Sequence, residues 1–500
     1  MGNEIVHQKV GIFFKPVIPV DYFDGYHIMQ MLKIKSNIDN IVNCGGSVMT
    51  YREESDSMGT VRISENVYYG PSTQRAVDNF RISGLCLPPS LMHALALIKK
   101  CCAEVNAELG LLDMKRSEVI AAAACEIMDG KLDASFVVDV FQTGSGTSTH
   151  MNINEVIASR ANEMLTGKRG GKIPVHPNDH VNLGQSSNDV FPSAMNISAL
   201  MEISAGLVPA LEKLKAALSQ KAREFKDILK MGRTHLQDAV PMTLGQEFSG
   251  FERQVALGIR RAASVQISLC ELALGGTAVG TGLNAQAGFA GRVISRIAGA
   301  TNLPFVEAGN HFEAQAARDA AVETSGALKT IAVSLIKIAN DIRWLASGPR
   351  CGLGEIHLPE LQPGSSIMPG KINPVIPEVV VQVAVQVIGN DTTITLCGQG
   401  GHFQLNAMMP VMAYNLLQSI SLLSASVAAF AEKCIIGIYP NPDVCRANVE
   451  KSLYMATVLA PIIGYDRAAD IAKKAFDTGK SIREVAEAET DLMHIPWDKL

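Results

Sequence analysis

The chain has 500 residues and a formal net charge of −5 at pH 7. This length predicts about two to four domains. The slightly acidic balance excludes the basic surface with which proteins usually bind nucleic acid or anionic membranes. No uninterrupted apolar run is long enough to span a bilayer, and no secretory signal pattern opens the chain, so we expect a reduced cytoplasmic protein without membrane contact.

The hydrophobic composition favours a mainly helical protein. Hydrophobic residues make up 47% of the chain, but aromatic residues make up only 5%. The core is therefore built mainly from Ala, Val, Leu and Ile, and Ala-rich helices pack closely together.

The first segment, residues 1–50, has no sustained periodicity, and we interpret it as an N-terminal extension. A start-site artefact, a flexible arm and a small added element all fit this pattern, and its role stays open. Residues 51–189 are predicted to form a first domain, in which short helical runs alternate with polar, glycine-containing loops. Two of these loops, 144–152 and 176–189, are rich in groups that form hydrogen bonds.

The second of these loops is predicted to end at a helix N-terminus. Ser186, Ser187 and Asn188 lie just ahead of Pro192 and a long apolar-periodic stretch, as at many helix starts. The free amides and the positive dipole end of such a helix favour a bound carboxylate. Ordinary N-capping explains the same residues equally well.

Long helices are predicted for the second domain, residues 190–438. Apolar residues recur there at spacings of three and four, typical of helices packed in a bundle. These residues are Phe248, Phe251, Val255 and Ile259; Leu328, Ile331, Leu335, Ile338, Ile342 and Leu345; and Leu416, Ile420, Leu423, Val427 and Phe430. Val333 and Ile336 lie off the second seam, which predicts a helix buried on more than one side. The run 379–385 has strand propensity instead.

The pattern breaks at Tyr439-Pro440-Asn441-Pro442, and residues 439–500 are predicted to form a small C-terminal helical domain.

The segment 364–374 combines two hydroxyls, a cation and a carboxamide with two glycines and two prolines. Glycine and proline disfavour regular helix and strand, so this segment is predicted to be a loop. Donors at fixed offsets on such a loop suit the binding of a small anion. Taken alone, a short Gly-Ser-Ser sequence is more often a surface turn.

The full pattern of this loop, G-S-S-x-M-P-x-K-x-N-P, resembles the signature loop of the aspartase/fumarase superfamily. The blocks at 232–241 and 275–284 resemble further blocks of that superfamily, and the resemblance runs from about Tyr51 to beyond residue 470. Within it, His-Pro-Asn-Asp-His at 176–180 and Gln-Ser-Ser-Asn-Asp at 185–189 are most similar to the class II fumarate hydratases. The resemblance implies a mainly α, three-domain fold whose central long-helix bundle forms the shared core of a homotetramer. It also makes the run 379–385 helical.

The resemblance implies reversible hydration of fumarate to malate through an aci-carboxylate intermediate, with a small dicarboxylate substrate. It implies no cofactor and no metal, and no dinucleotide, P-loop or metal-ligand motif occurs in the chain. Two alternatives stay open. One is an aspartate ammonia-lyase, although those enzymes typically have Ser-Thr-Asn-Asp where this chain has Ser-Ser-Asn-Asp at 186–189. The other is a catalytically silent relative, against which the retained site residues argue.

The resemblance also implies roles for particular residues. The catalytic residues are Ser365 as the base, His235 as the group that orients water, and Glu378 as its partner. The substrate-binding residues are Ser145, Thr147, Ser186, Ser187, Asn188, Thr234, Lys371 and Asn373. The second dicarboxylate site comprises His176, Asn178 and Asp179. One residue departs from the pattern: His150 stands where these enzymes usually have Asn, with candidate effects on carboxylate binding or substrate range.

Overall fold

The structure is a computed structural model that describes residues 50–489. The extension before residue 50 and the end of the predicted C-terminal domain therefore lie outside the described residues. Residues 53–63 and 67–489 form one compact unit. The domain boundaries at 189 and 438 stay predictions.

The N-terminal part of the compact unit is built from helices that are longer than the predicted short runs. Two of them have 20 residues each. Their apolar residues extend around most of the helix rather than along one stripe, so the 3.6-residue period is weak in the sequence. The five helices are α1 Pro71–Asn79, α2 Pro89–Glu108, α3 Met114–Met128, α4 Thr147–Thr166 and α5 Ser187–Glu202.

The central part contains the predicted long helices. Five of them pack side by side, each against two others, so that the last closes on the first. In ring order they are α6 Val208–Glu224, α7 Leu244–Ser264, α11 Asp319–Leu345, α12 Val375–Gly398 and α13 Met409–Lys433. Three shorter helices lie between α7 and α11: α8 Gln266–Leu269, α9 Phe289–Thr301 and α10 His311–Ala316.

The apolar seams predicted for this bundle are confirmed. The six seam residues of α11, from Leu328 to Leu345, are all buried. Of the two off-seam residues, Val333 is 54% exposed, but Ile336 is half-buried and packs against the same core. Within one chain, the predicted burial on a second side is therefore only partial.

The valine-rich run 379–385 is helical, as the family resemblance implied, and lies within α12. Val380, Ala384 and Val387 recur at four and three residues and are buried against the bundle. Packing of this face stabilises the helix more than the modest β-preference of valine opposes it.

The C-terminal part consists of four helices, of which the last three share a small cluster of buried side chains, among them Leu459, Ile471 and Val485. The helices are α14 Pro442–Lys451, α15 Ala456–Ile463, α16 Tyr465–Thr478 and α17 Ile482–Glu489.

Short strands complete the described part of the chain and form five two-stranded sheets. The pairs are β1 Tyr51–Asp56 with β2 Gly59–Ser64, β3 Leu229–Thr234 with β4 Gln237–Thr243, β5 Glu271–Leu272 with β6 Val306–Glu307, β7 Ile356–His357 with β10 Tyr439–Pro440, and β8 Gly401–His402 with β9 Leu405–Asn406. The β3–β4 hairpin is antiparallel, with Thr234 opposite Gln237.

Three helical stretches are long and apolar enough to cross a membrane on length and composition alone, although polar residues interrupt each of them. They are Ser187–Glu224, Val375–Gly398 and Met409–Gly437. In the most apolar part of Val375–Gly398, only 33% of the residues are buried within the chain. The apolar surface of this helix therefore needs a covering partner.

Candidate active site

Three hydroxyl groups meet where two helices begin. Thr147 and Ser187 are the first residues of α4 and α5. The Thr147 Oγ1 lies 2.7 Å from the Ser187 Oγ and 2.7 Å from the Ser145 Oγ. Each helix N-terminus also presents unpaired amides and the positive end of the helix dipole. The structure thus brings these three predicted binding residues together in a cluster that suits an anion, which we call the hydroxyl cluster.

The approach of the two helices depends on a glycine. Gly146 caps α4 in the left-handed region, at a φ of 75°. A Cβ at this position would lie 2.3 Å from a ring carbon of Phe191 on α5. Only glycine allows both this backbone conformation and the close packing.

α5 starts where the sequence predicted, and its first turn is held by a capping box. The Ser186 Oγ accepts a hydrogen bond from the Asn188 amide, and the Asp189 carboxylate accepts one from the Ser186 amide. Asp189 also accepts hydrogen bonds from the amides of Gly275 and Thr277. Burial raises the pKa of Asp189 to about 6, although these amide hydrogen bonds oppose the increase. Asp189 therefore fixes the helix start to the block 275–284.

The Asn188 side chain is partly committed to this contact. Its Nδ2 donates to the carbonyl of Ala278 at 2.8 Å. The second Nδ2 hydrogen is left for another acceptor.

The His150 side chain points into the protein interior rather than towards solvent. Its side chain is buried on α4, and its Nε2 lies 2.7 Å from the Nζ of Lys99. Lys99 is a residue that the motif search missed. The sequence does carry a signal for it. Lys99 lies four residues after Leu95 and three before Cys102, and this spacing places a lysine on the buried face of an apolar helix.

The predicted loop at 364–374 is closed at its base. The Gly364 amide donates to the Lys371 carbonyl at 2.7 Å, and the Asn373 Nδ2 donates to the Gly364 carbonyl at 2.6 Å. A Cβ at Gly364 would lie 2.7 Å from the Lys371 carbonyl oxygen, so glycine is required for this closure. Asn373, predicted to bind substrate, therefore also holds the loop together.

Ser365 lies just inside this closure and is half-buried. Its Oγ accepts hydrogen bonds from the amides of Ile367 at 3.2 Å and Met368 at 3.0 Å. Two N–H dipoles thus point at the oxygen that the family resemblance assigns as the base.

His235 and Leu236 form the tip of the β3–β4 hairpin. Their φ angles are 56° and 59°, so both are in the left-handed region. A two-residue hairpin turn of this kind usually contains Asn or Gly, and other residues cost about 1 kcal/mol each. Thr234, at the end of β3, is exposed like His235. The hairpin therefore presents Thr234 and His235 outward at an energetic cost, a pattern common at functional sites.

Glu378 belongs to a different element of the chain from this hairpin. It is in the first turn of α12 and lines a cavity of about 810 Å³ together with Lys371 and Asn373. Among residues 50–489, no hydrogen bond or ion pair joins Glu378 to His235. Nor does one join the hairpin or the Ser365 loop to the hydroxyl cluster within that range.

The residues of the predicted second site lie on one turn, Pro177–Val181, and on His176, which caps it. The His176 Nδ1 accepts hydrogen bonds from the amides of Asn178 at 3.1 Å and Asp179 at 3.2 Å. His176 is half-buried, while Asn178 and Asp179 are exposed. The structure brings the three residues together at the surface.

Comparison with known proteins gives family matches over most of the chain. A lyase family model matches residues 59–389, and a model of the fumarase C C-terminus matches residues 455–499. The class II fumarate hydratase of Nitrosomonas europaea is 53% identical over 436 residues, covering 87% of this chain and 94% of that protein. The enzyme of the same name from Rickettsia prowazekii is 52% identical and covers 90% of this chain and 98% of that protein.

Solved structures share the fold. The recombinant class II fumarase from Schistosoma mansoni superposes with a TM-score of 0.85 at 41% identity, covering 88% of this chain and 95% of that chain. The fumarate lyase:delta crystallin from Brucella melitensis bound to cobalt superposes with a TM-score of 0.84 at 47% identity, covering 88% of this chain and 96% of that chain. The chain therefore belongs to the lyase family that includes the class II fumarate hydratases.

Proposed function

We propose that this protein is a class II fumarate hydratase that interconverts fumarate and malate. Two relatives that are more than half identical to it over most of its length carry that name. The observation that carries the proposal is the pair of loop amides that donate to the Ser365 Oγ.

Ser365 acts as the base in the dehydration of malate. A serine hydroxyl ionises only at high pH, so its alkoxide needs strong stabilisation. Two amides already aimed at the oxygen supply part of it without reorganisation. The Lys371 ammonium, seven residues from the Gly364 that opens the loop, adds positive charge on the same closed loop.

The alkoxide removes a proton from the carbon next to one carboxylate of malate. The electrons of the broken C–H bond move into that carboxylate and form the aci-carboxylate, and Ser365 becomes a neutral hydroxyl. This doubly charged carboxylate is the group that most needs hydrogen-bond donors. We assign Thr147, Ser187, Asn188 and Lys371 to that role, because the two helix N-termini and the lysine supply donors and positive charge.

The C–O bond then breaks, and the departing hydroxyl takes a proton from His235 or from a water that His235 holds. The reverse sequence adds water to fumarate. An imidazole is suited to this transfer near neutral pH, and a carboxylate partner fixes its orientation. We assign Glu378 as that partner.

We propose that the partner of each hairpin is another subunit. Within the described part of one chain, no hydrogen bond or ion pair joins His235 to Glu378, and α11 and α12 expose Val333, Val385 and Leu396. A homotetramer built on the central bundle would bury these apolar faces and assemble each site from several chains. The apolar helices then serve subunit contact rather than a membrane.

The turn Pro177–Val181 is proposed as a second dicarboxylate site. His176 fixes the turn by accepting the amides of Asn178 and Asp179. With Nδ1 as the acceptor, the Nε2 of a neutral imidazole is free to donate to an anion.

The proposal is tested by incubating the purified full-length protein, without added cofactor, with malate, fumarate, fumarate plus ammonia, and aspartate. We expect interconversion of malate and fumarate, followed by the absorbance of the fumarate double bond. Turnover of aspartate faster than that of malate would instead support an ammonia-lyase. Tight dicarboxylate binding without turnover of any of these compounds would support the silent relative.

A further inference from the structure

Lys99 is a buried cation that the proposed mechanism does not use. It lies on α2 and its side chain is fully buried. Its Nζ contacts three groups: His150 Nε2 at 2.7 Å, Asn182 Oδ1 at 2.9 Å and Gln185 Oε1 at 2.9 Å. A buried lysine is rare unless it is paired, and here none of the three contacting groups is a carboxylate.

The three contacts match the ammonium form of Lys99. Burial lowers its pKa to about 7, and the ammonium has one N–H for each of the three contacts when the His150 tautomer leaves Nε2 as an acceptor. Burial and the neighbouring lysine both hold the pKa of His150 well below its ordinary value. His150 is therefore a neutral imidazole that accepts at Nε2.

These partners connect Lys99 to both halves of the hydroxyl cluster. His150 lies in the first turn of α4, three residues after Thr147. Asn182 and Gln185 lie in the turn that leads into α5, and Gln185 is two residues before Ser187. One ammonium thus contacts both the first turn of α4, which carries Thr147, and the turn that precedes Ser187. The hydroxyls of Thr147 and Ser187 are 2.7 Å apart.

The turn before α5 is itself organised around these side chains. The Gln185 Nε2 donates to the carbonyls of Val181 and Leu183, and the Asn182 Nδ2 donates to the carbonyl of Gln185. The carbonyl oxygens of both side-chain amides are thereby directed at Lys99. Removing the ammonium would leave the side-chain oxygens of Asn182 and Gln185, and the imidazole nitrogen, without this donor.

We propose that Lys99, held by His150, Asn182 and Gln185, is a positioning residue that sets the hydroxyl cluster for a dicarboxylate. The identity of the anion as a four-carbon dicarboxylate rests on the proposed function. The arrangement also gives a role to His150, whose Nε2 contacts the Lys99 Nζ.

The first test compares Lys99→Met with Lys100→Met in the full-length protein. Lys100 is the next residue on α2, partly exposed and 3.9 Å from Glu104, so its change removes the same charge outside the cluster. Calorimetry measures the Kd of succinate, a saturated dicarboxylate, and steady-state assays measure KM and kcat for fumarate. For Lys99→Met we expect Kd and KM to rise about tenfold or more, with a smaller change in kcat. For Lys100→Met we expect changes below about twofold.

The second test changes the acceptor and keeps the lysine, and it decides the question if Lys99→Met does not fold. His150→Leu removes one acceptor from the ammonium, whereas His150→Gln offers a replacement, because its side-chain oxygen reaches as far as the Nε2 that contacts Lys99. We expect a Kd for succinate that is several times higher in the Leu variant than in the Gln variant. The comparison separates positioning from general stability when thermal unfolding of the two variants is measured alongside.

Equal Kd values for Lys99→Met and the wild type, or for the two His150 variants, would overturn the inference. This failure is distinct from failure of the proposed function. Succinate binding is measured without turnover, so the positioning role can hold in a protein that does not hydrate fumarate. Conversely, an active fumarate hydratase whose affinity for succinate does not depend on Lys99 would support the proposed function and contradict the inference.

Discussion

The hydroxyl cluster and the β3–β4 hairpin differ in how far one chain completes them. In the cluster, Ser145, Thr147 and Ser187 are buried or half-buried and hydrogen-bonded to one another. At the hairpin tip, Thr234 and His235 are exposed, and no side-chain hydrogen bond of theirs occurs within residues 50–489.

We interpret this difference as one between a cluster that is already arranged to bind an anion and a hairpin that is not yet arranged for the chemical step. The cluster lies between two helix starts that each contact Lys99 through a neighbouring side chain. The hairpin tip has two residues in the left-handed region, a costly conformation that is common at functional sites. We therefore expect the cluster to bind a dicarboxylate in its own right and the hairpin to work only after assembly. The Ser365 loop is intermediate, closed on itself but open to solvent.

The largest expected effect is at the Ser365 loop. Ser365→Ala removes the oxygen at which two amides point, so kcat should fall by about 10³-fold or more while dicarboxylate binding by the cluster persists. Steady-state assays and succinate calorimetry measure the two effects. The matched control is Ser366→Ala, which removes the neighbouring exposed hydroxyl and should change kcat little. Near-normal turnover in Ser365→Ala would move the base elsewhere, with His235 as the next candidate.

The next effect tests whether the hairpin works in another subunit's site. Ser365→Ala and His235→Asn should each be almost inactive, but the two unfolded together and reassembled should recover activity. If the two residues of one site come from different chains, random mixing leaves roughly a quarter of the sites with both residues intact. Each variant refolded alone is the control. A mixture that stays inactive while it forms tetramers, or a wild type that is a stable monomer, would contradict shared sites.

A smaller effect is expected inside the cluster. Thr147→Val keeps the shape of the side chain but removes the hydroxyl between Ser145 and Ser187, so KM for fumarate should rise about tenfold with less change in kcat. Ser148→Ala is the control, because its hydroxyl contacts only Thr143 among the described residues. A loss confined to kcat would show that the cluster acts in the chemical step rather than in binding.

The smallest effect concerns the hairpin turn. Leu236→Gly relieves the left-handed conformation, so the free energy of unfolding should stay constant or rise by up to about 1 kcal/mol. Val240→Gly is the control on the same hairpin, since Val240 is also exposed but has no positive φ; it should lose about 1 kcal/mol. Denaturant unfolding measures both. Equal destabilisation of the two variants would mean that the turn is not strained.

Much of this protein was predictable from the sequence because the relevant signals are local. The breakers and donors of 364–374 predict a polar loop, and the capping residues before Pro192 predict the start of α5. The apolar spacing along α11 predicts its buried seam. In each case, neighbours within a few residues determine the backbone conformation, and the family resemblance supplied the chemistry to test.

Secondary-structure propensity pointed to the wrong conformation where tertiary packing determines it. The run 379–385 is helical although valine favours strand, because one face of α12 is buried in the bundle. The N-terminal helices are longer than predicted, because helices buried nearly all round leave little periodicity in the sequence.

The remaining features are determined only by the tertiary structure, because they join residues far apart in the chain. Lys99 contacts His150 across 51 positions and Gln185 across 86, and no spacing rule connects them. The left-handed turn at His235 and Leu236 contradicts the usual preference of both residues, so the flanking strands must impose it. A buried cation and a strained turn are costly when taken alone. They persist because the surrounding fold supplies acceptors for the lysine and pairs β3 with β4 in a register that allows no other turn.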